Sequence, residues 1–101
     1  MRSYCVYILT NKSGTLYIGV TGNLPQRLIQ HRNAAPGSFT ARYKINQLVY
    51  VEETRYIWNA LEREKELKAW TRAKKLALIR EANPTWRDLS LDIVGDATEI
   101  S

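Results

Sequence analysis

The chain has 101 residues, of which 45% are hydrophobic and 25% charged. This composition fits one soluble domain with a single modest core and argues against a disordered chain. A single cysteine, Cys5, excludes a disulfide scaffold, and with a single histidine it cannot form a zinc site. The net charge of +5 and the pI near 9.6 favour a polyanionic partner. The sequence has neither a secretory signal pattern nor a membrane-length apolar run, so we expect a cytoplasmic location.

The first part of the chain predicts a β-hairpin. Residues 3–10 and 15–20 are rich in β-branched and aromatic side chains, which are typical of strands. Between them, Asn11-Lys-Ser-Gly14 suits a type I turn that is closed by a glycine with positive φ. The extra residue of such a turn forms a G1 bulge.

This bulge determines how the two strands align. It predicts that Leu9 faces Tyr17 and that Tyr7 faces Gly19. Because side chains alternate across a strand, Tyr7 and Tyr17 then emerge on one face of the sheet as diagonal neighbours. A register shifted by one residue would put the two phenols on opposite faces.

A helix and a third strand follow the hairpin. Asn23 is typical of a helix N-cap, and Pro25 fits the first turn of a helix that runs to about Ala35. Residues 38–44 form a basic connection that contains aromatic residues. The sequence Gln47–Glu53 then has the composition of a strand.

The remainder of the chain is mainly helical. Residues 57–82 predict a helix that is broken or bent near Trp70 and that ends at an Asn-Pro pair. A short turn is expected at residues 86–89. Residues 94–101 predict a weakly ordered tail, so the folded domain is expected to span residues 1–93.

A carboxylate interrupts the apolar face of this last helix. At 100° per residue, Glu64 falls on the side that carries the apolar residues Ile57, Ala60, Leu61 and Leu67. Glu62 and Glu66 fall on the opposite, solvated side. A lone acid on a core-facing side is costly unless it is paired or bound to a metal. Two interpretations therefore stand: a metal ligand, or an ion pair with Arg27 or a neighbouring lysine.

Four further side chains suit chemistry at a phosphodiester. Arg27 and His31 share a helix face, where the arginine could bind phosphate oxygens and the histidine could transfer a proton. Equally, Arg27 fits a surface cation and His31 a structural hydrogen-bonding residue. Tyr7 and Tyr17 fit core aromatics unless a cation or metal-bound hydroxide lowers the cost of ionising a phenol.

Two groups of basic residues are candidates for nucleic-acid contacts. They comprise Lys68, Arg72, Lys74 and Lys75 on the last helical region, and Arg42 and Lys44 beside Phe39 and Tyr43. A run of charges of this kind is also typical of a solvated helix face.

These residues resemble the motifs of the GIY-YIG nuclease superfamily. Cys5-Val6-Tyr7 matches the first motif with its first two letters changed, and Tyr17-Ile18-Gly19 matches the second. The helix bearing Arg27 and His31 is similar to the family's helix with its catalytic arginine. The segment Ala60–Glu64 resembles the one that supplies the metal-binding glutamate. Later motifs, ending in Asn83-Pro-Thr-Trp-Arg-Asp-Leu89, resemble the small stand-alone bacterial branch.

The resemblance implies an α+β fold, a three-stranded antiparallel sheet flanked by helices, similar to the N-terminal nuclease domain of the bacterial repair excinuclease. It implies one divalent cation, Mg²⁺ or Mn²⁺, bound by Glu64. The catalytic residues would be Tyr7, Tyr17, Arg27 and His31, with either tyrosine as the base. Repair-type members often carry a lysine after the second motif, where this chain has Val20.

The function expected from this resemblance is metal-dependent hydrolysis of DNA with low sequence specificity. DNA structure or a protein partner would direct it in repair or recombination, and RNA remains open as a substrate. The alternative is a nucleic-acid-binding module on the same fold with weak or lost catalysis. Such a module would bind with a steep salt dependence and without need of Glu64.

Overall fold

The computed structural model describes residues 3–33 and 45–94. Its elements in these ranges are β1 (Tyr4–Thr10), β2 (Leu16–Thr21), α1 (Leu24–Arg32), β3 (Gln47–Thr54), α2 (Ile57–Ala69), α3 (Arg72–Ala82) and α4 (Ser90–Val94). The strands form one antiparallel sheet in the order β2-β1-β3. The predicted α+β class is confirmed. Among the described residues, no helix has the length and apolar character needed to cross a bilayer.

The hairpin has the predicted turn. Gly14 has a φ of 83°, and its N–H donates to the carbonyl of Asn11 at 3.1 Å. The Thr15 N–H donates to Asn11 Oδ1 at 2.9 Å, so the asparagine holds both sides of the bulge. The strands align in the predicted register, with the Cα pairs Leu9–Tyr17 and Tyr7–Gly19.

Both faces of the sheet are covered, and β1 in the middle contributes to both cores. On one face its odd-numbered residues join a buried cluster with α1, made of Cys5, Tyr7, Leu9, Leu24, Leu28, Ile45 and Leu48. On the other face its even-numbered residues join a cluster with α2 and α3, made of Val6, Ile8, Ile18, Val49, Tyr50, Ala60, Leu67 and Ile79. A central strand that is buried on both sides is expected to carry a continuous apolar run, as β1 does from Cys5 to Leu9.

Helix α1 begins as predicted. The side chain of Asn23 accepts a hydrogen bond from the N–H of Gln26 at 3.2 Å, which satisfies one of the free donors of the first turn. The helix ends at Arg32. Ala35, its predicted end, and the predicted basic connection at residues 38–44 lie outside the described residues.

The predicted break near Trp70 separates α2 from α3. Trp70 leaves the helical conformation, and Thr71 begins the next helix by accepting a hydrogen bond from the N–H of Lys74 at 3.3 Å. Helix α3 ends at Ala82, as expected. The break allows the two helices to take different directions over the same face of the sheet.

The C-terminal segment binds to β3 through buried polar groups. Asn83 Nδ2 donates to the carbonyls of Val49 at 3.1 Å and Arg87 at 2.9 Å, and Oδ1 accepts from the Arg87 N–H at 3.1 Å. Asp88 Oδ1 accepts from the N–H of Leu48 at 3.1 Å and from the Ser90 hydroxyl at 2.6 Å. These contacts cover part of the outer edge of β3, which would otherwise be available for pairing with another chain.

The turn in this segment lies earlier than predicted. It spans residues 84–85, residues 86–88 run irregularly beside β3, and a helical turn that the sequence pattern did not predict begins at Ser90. The reason is Asn83, whose side chain bonds to both sides of the turn. Val94, the first residue of the predicted tail 94–101, ends this helical turn, and residues 95–101 lie outside the described residues.

We expect Asn83→Ala to lower the free energy of unfolding by about 2–3 kcal/mol, because it leaves several buried backbone groups without partners. The measurement is urea denaturation followed by circular dichroism. Asn46→Ala is the control, since Asn46 is exposed, and its effect should stay within about 0.5 kcal/mol. Equal effects of the two substitutions would contradict this role for Asn83.

Candidate active site

The side chain of Tyr7 lies across Gly19 of the neighbouring strand. Tyr7 is 1% exposed and belongs to the core on the α1 side of the sheet. A Cβ at position 19 would lie 2.5 Å from the Tyr7 hydroxyl oxygen and 2.6 Å from its Cζ, well inside van der Waals contact. The absence of a side chain at Gly19 therefore leaves the space that the phenol ring occupies. The sequence pattern contained the signal for this role, because the predicted register already put Gly19 opposite Tyr7.

Three aromatic rings meet above this glycine, and we call Tyr7, Tyr17 and His31 the aromatic cluster. The Tyr7 hydroxyl and His31 Nε2 share a hydrogen bond of 3.0 Å. The Tyr7 and Tyr17 ring centroids are 6.4 Å apart, and the Tyr17 and His31 rings meet edge to face at 5.3 Å. The prediction that both tyrosines lie on one face of the sheet is confirmed.

Burial determines the protonation of this cluster. It raises the pKa of Tyr7 far above that of a free phenol, and the neighbouring Tyr17 adds to the increase while Arg27 opposes it. Burial also lowers the pKa of His31, and the charge of Arg27 lowers it further. At neutral pH Tyr7 is therefore a neutral phenol and His31 a neutral imidazole.

Arg27 lies one turn before His31 on the same face of α1, as predicted. Its side chain is exposed, and its charge acts on both Tyr7 and His31. Within residues 3–33 and 45–94, no hydrogen bond or ion pair engages its guanidinium. The guanidinium is thus available to a phosphate beside the aromatic cluster.

Glu64 approaches from α2, the helix on the other face of the sheet. Ala60 and Leu67 of this helix are fully buried, whereas the Glu64 side chain keeps 23% of its exposure. Its carboxylate borders an open cavity of about 340 Å³, which we call the Glu64 cavity. The cavity is lined by Leu16, Tyr17, Ile18, Glu64, Lys68 and Lys75. The prediction that Leu61 shares the buried side is wrong: it is 40% exposed, because the contact with the sheet is narrow.

Tyr17 connects the two halves of the site, since it belongs both to the aromatic cluster and to the Glu64 cavity. Strand β2 is at the edge of the sheet, so a side chain there can be reached from both faces. The negative charge of Glu64 also adds a smaller increase to the pKa of Tyr7. Residues from the hairpin, α1 and α2 therefore converge around the outer edge of β2.

Glu64 also makes the ion pair that its position on the helix allowed. Lys68 Nζ lies 3.5 Å from Glu64 Oε2, and the lysine is 56% exposed. Exposed pairs of this spacing contribute only about 0.3–0.5 kcal/mol, so a stronger cation can displace the lysine. No cluster of three or more His, Cys, Asp or Glu side chains occurs in the part of the chain that the structure describes. One carboxylate at an open cavity fits a Mg²⁺ ion that keeps most of its waters, and does not fit a preformed protein cage.

The other predicted basic residues divide into two groups. Lys75 lines the Glu64 cavity together with Lys68. Arg72 instead donates to the carbonyl of Gly14 in the hairpin turn at 2.6 Å, and Lys74 Nζ lies 4.4 Å from the centre of the Trp70 ring. Arg42 and Lys44 lie outside the described residues.

Positions 63 and 20 supply no cation to the Glu64 cavity. Arg63, a further basic residue of α2, pairs with Glu52 at 2.8 Å on the β3 side of the helix, away from the Glu64 cavity. Val20, at the position where related proteins often carry a lysine, packs against the core on the α2 side. Position 20 therefore supplies no cation to the site.

Replacing Gly19 by alanine should displace Tyr7 and break its hydrogen bond to His31. Overpacking of this kind costs about 1–3 kcal/mol, and displacement of the phenol should expose the imidazole to water and so reduce the burial that lowers its pKa. Titration of the His31 ring signals by NMR measures the change, with a pKa closer to that of a free histidine expected. Gly22→Ala is the control, because a Cβ there would contact only Tyr4, at 3.4 Å. An unchanged His31 titration in Gly19→Ala would contradict this role.

Residues 3–77 match the family model described as the GIY-YIG catalytic domain. The chain belongs to the GIY-YIG family. It is 38% identical over 81 residues to a UPF0213 protein of Staphylococcus saprophyticus, covering 80% of this chain and 99% of that one. A UPF0213 protein of Staphylococcus aureus is 37% identical with the same coverage.

A solved structure has the same fold. The solution NMR structure of a UPF0213 protein from Bacillus halodurans superimposes with a TM-score of 0.58 at 25% identity. The match covers 88% of this chain and 95% of that one. The matches extend over nearly the whole length of these relatives. This agrees with the predicted stand-alone branch of the family. Membership places the protein in a family of nuclease domains. The class of substrate that this family implies is nucleic acid.

Proposed function

We propose that this protein is a divalent-metal-dependent endonuclease that hydrolyses DNA phosphodiester bonds with low intrinsic sequence specificity. The observation that carries the proposal is Tyr17, which is shared by the aromatic cluster and the Glu64 cavity. A phosphodiester at the edge of β2 would contact the phenol and the carboxylate together. The exposed guanidinium of Arg27 would be available from the α1 side.

Glu64 would hold the metal, Mg²⁺ or Mn²⁺, at the rim of the cavity. When bound, such an ion supplies Lewis-acid stabilisation of the phosphate and a more acidic water. The remaining coordination positions are open to water and to phosphate oxygens, since the described residues offer this site a single carboxylate.

The two tyrosines are suited to different roles. Tyr17 is partly exposed and lines the cavity, so its hydroxyl can orient the attacking water and accept its proton. Tyr7 is buried with a raised pKa, which disfavours its phenolate and makes it a poor base. Its hydroxyl shares a hydrogen bond with His31 Nε2 instead and holds the imidazole beside Tyr17.

Arg27 and His31 complete the proposed mechanism. Arg27 would bind a non-bridging oxygen of the phosphate and stabilise the charge that develops at phosphorus. His31 is neutral at pH 7 because burial and Arg27 lower its pKa, so the imidazole would take up the hydroxyl proton that Tyr17 releases when its oxygen accepts a proton from the attacking water. Its position is maintained by the hydrogen bond with Tyr7.

The proposed low sequence specificity rests on charge. The net charge of +5 attracts a polyanion, and lysine contacts to phosphates carry no sequence information. We therefore propose that DNA structure or a protein partner selects the site, in cytoplasmic repair or recombination. RNA is an outcome to be tested alongside DNA.

The test is a cleavage screen with purified protein. Supercoiled plasmid, flapped DNA, a four-way junction and a matched RNA are each incubated with Mg²⁺, with Mn²⁺, or with EDTA. We expect nicking or cutting of at least one DNA substrate with metal and none with EDTA. Cleavage that persists in EDTA, or the absence of cleavage on every substrate, would reject the proposal.

Two observations favour the alternative of a binding module without catalysis. The Glu64 carboxylate already has a cation, Lys68, at 3.5 Å, and the first family motif is altered at Cys5 and Val6. A binding module would show salt-dependent affinity for nucleic acid that Glu64→Gln leaves unchanged, with no cleavage in any metal. The same preparations used in the screen distinguish the two.

A further inference from the structure

Two lysines border the Glu64 cavity at the end of α2. Lys68 Nζ lies 3.5 Å from Glu64 Oε2, and Lys75 Nζ donates to the main-chain carbonyl of Lys68 at 3.4 Å. Lys68 belongs to the last turn of α2, where the free carbonyls carry a partial negative charge. That charge favours an ammonium group at this end of the helix, where Lys75 lies.

We propose that Lys68 exchanges partners when substrate binds. In the free protein its ammonium pairs with Glu64, and in the complex it pairs with a backbone phosphate of the nucleic acid while a divalent cation occupies the carboxylate. Lys75 binds the same stretch of backbone from the end of α2. This inference rests on the proposed function and adds to it a phosphate subsite and an internal competitor for the metal.

The exchange follows from the charges in the cavity. An ammonium and a divalent cation repel each other, so they cannot share one carboxylate without cost. An exposed pair of this kind shifts an equilibrium only about twofold, so release of the lysine is easy. A phosphate that enters beside the metal offers the released ammonium a charge-assisted hydrogen bond.

Other basic residues near Lys68 and Lys75 make contacts outside the Glu64 cavity. Lys74 lies over the Trp70 ring, and Arg72 donates to the hairpin turn at Gly14. Neither lines the Glu64 cavity. Lys65 is exposed on the same helix and also lies outside the lining, which makes it a control with the same change of charge.

The first measurement is Mn²⁺ binding to the free protein, followed by the EPR signal of unbound Mn²⁺. Lys68→Met should bind Mn²⁺ about three to five times more tightly, because it removes both a competitor and a nearby positive charge. Lys65→Met should change the affinity by less than about twofold, because an exposed charge is largely screened. A gain in affinity is a result that mere structural damage would not produce.

The second measurement is DNA binding by fluorescence anisotropy in Ca²⁺, over a range of salt concentrations. Lys68→Met and Lys75→Met should each weaken binding about tenfold and reduce the salt slope by about one. Lys68→Arg keeps the charge and should keep the slope.

Tighter Mn²⁺ binding together with weaker DNA binding in Lys68→Met supports the exchange. Unchanged or weaker Mn²⁺ binding, no Mn²⁺ binding by the parent protein, or the same two changes in Lys65→Met would overturn it. Cleavage by the parent protein is scored separately. If the parent protein does not cleave DNA but the two binding measurements give the expected changes, the proposed function is rejected and the exchange is supported. If the parent protein cleaves DNA but the binding measurements do not give these changes, only the exchange is rejected.

Discussion

Glu64→Gln should lower the rate of DNA cleavage about a thousandfold at saturating Mg²⁺, which corresponds to about 4 kcal/mol of lost transition-state stabilisation. The amide keeps the shape of the side chain and removes the charge that would hold the metal. Because Glu64 is partly exposed and its pair with Lys68 is weak, the melting temperature should change little. Single-turnover cleavage and thermal unfolding measure the two effects.

Glu62→Gln is the matched control, since it makes the same chemical change on the exposed side of the same helix. Its cleavage rate should stay within about twofold of the parent rate, because exposed charges outside the site contribute little. Comparable activity of Glu64→Gln and the parent protein would show that a contaminating nuclease cuts the DNA. It would also remove the basis for a metal at Glu64.

Tyr17→Phe should lower kcat by about a hundredfold or more, the range lost when a general base is removed. Tyr7→Phe should cost about tenfold, because Tyr7 acts only by positioning His31. Loss of that hydrogen bond should also change the acid side of the pH–rate profile, where His31 titrates. The difference between the tyrosines follows from burial, since Tyr7 is 1% exposed with a raised pKa while Tyr17 borders the cavity.

Tyr56→Phe is the control for loss of a phenol hydroxyl, because Tyr56 is 66% exposed at the start of α2. It should cleave at the parent rate. If Tyr7→Phe proves more damaging than Tyr17→Phe, the assignment of the base to Tyr17 is wrong and the buried tyrosine carries the chemistry. Comparing the pH–rate profiles of the two variants decides between a direct and an indirect effect.

The amino-acid sequence by itself determined the local features of this protein. Asn11 and Gly14 predicted the bulge, and through it the register that brings Tyr7 opposite Gly19. Asn23 predicted the start of α1, and the spacing of Arg27 and His31 predicted their shared face. Each of these features depends on residues within a few positions of one another, so a linear pattern contains enough information to predict it.

Only the tertiary structure decided which distant groups meet. Lys68 and Lys75 reach the Glu64 cavity while Arg72 and Lys74 bind elsewhere, although all four belong to one basic run. Leu61 is exposed, and the segment around Asn83 joins β3. Both features depend on how closely a helix or a chain end packs on the sheet. Such contacts join residues up to 58 positions apart. They result from packing and from hydrogen bonding of buried groups, which sequence periodicity does not encode.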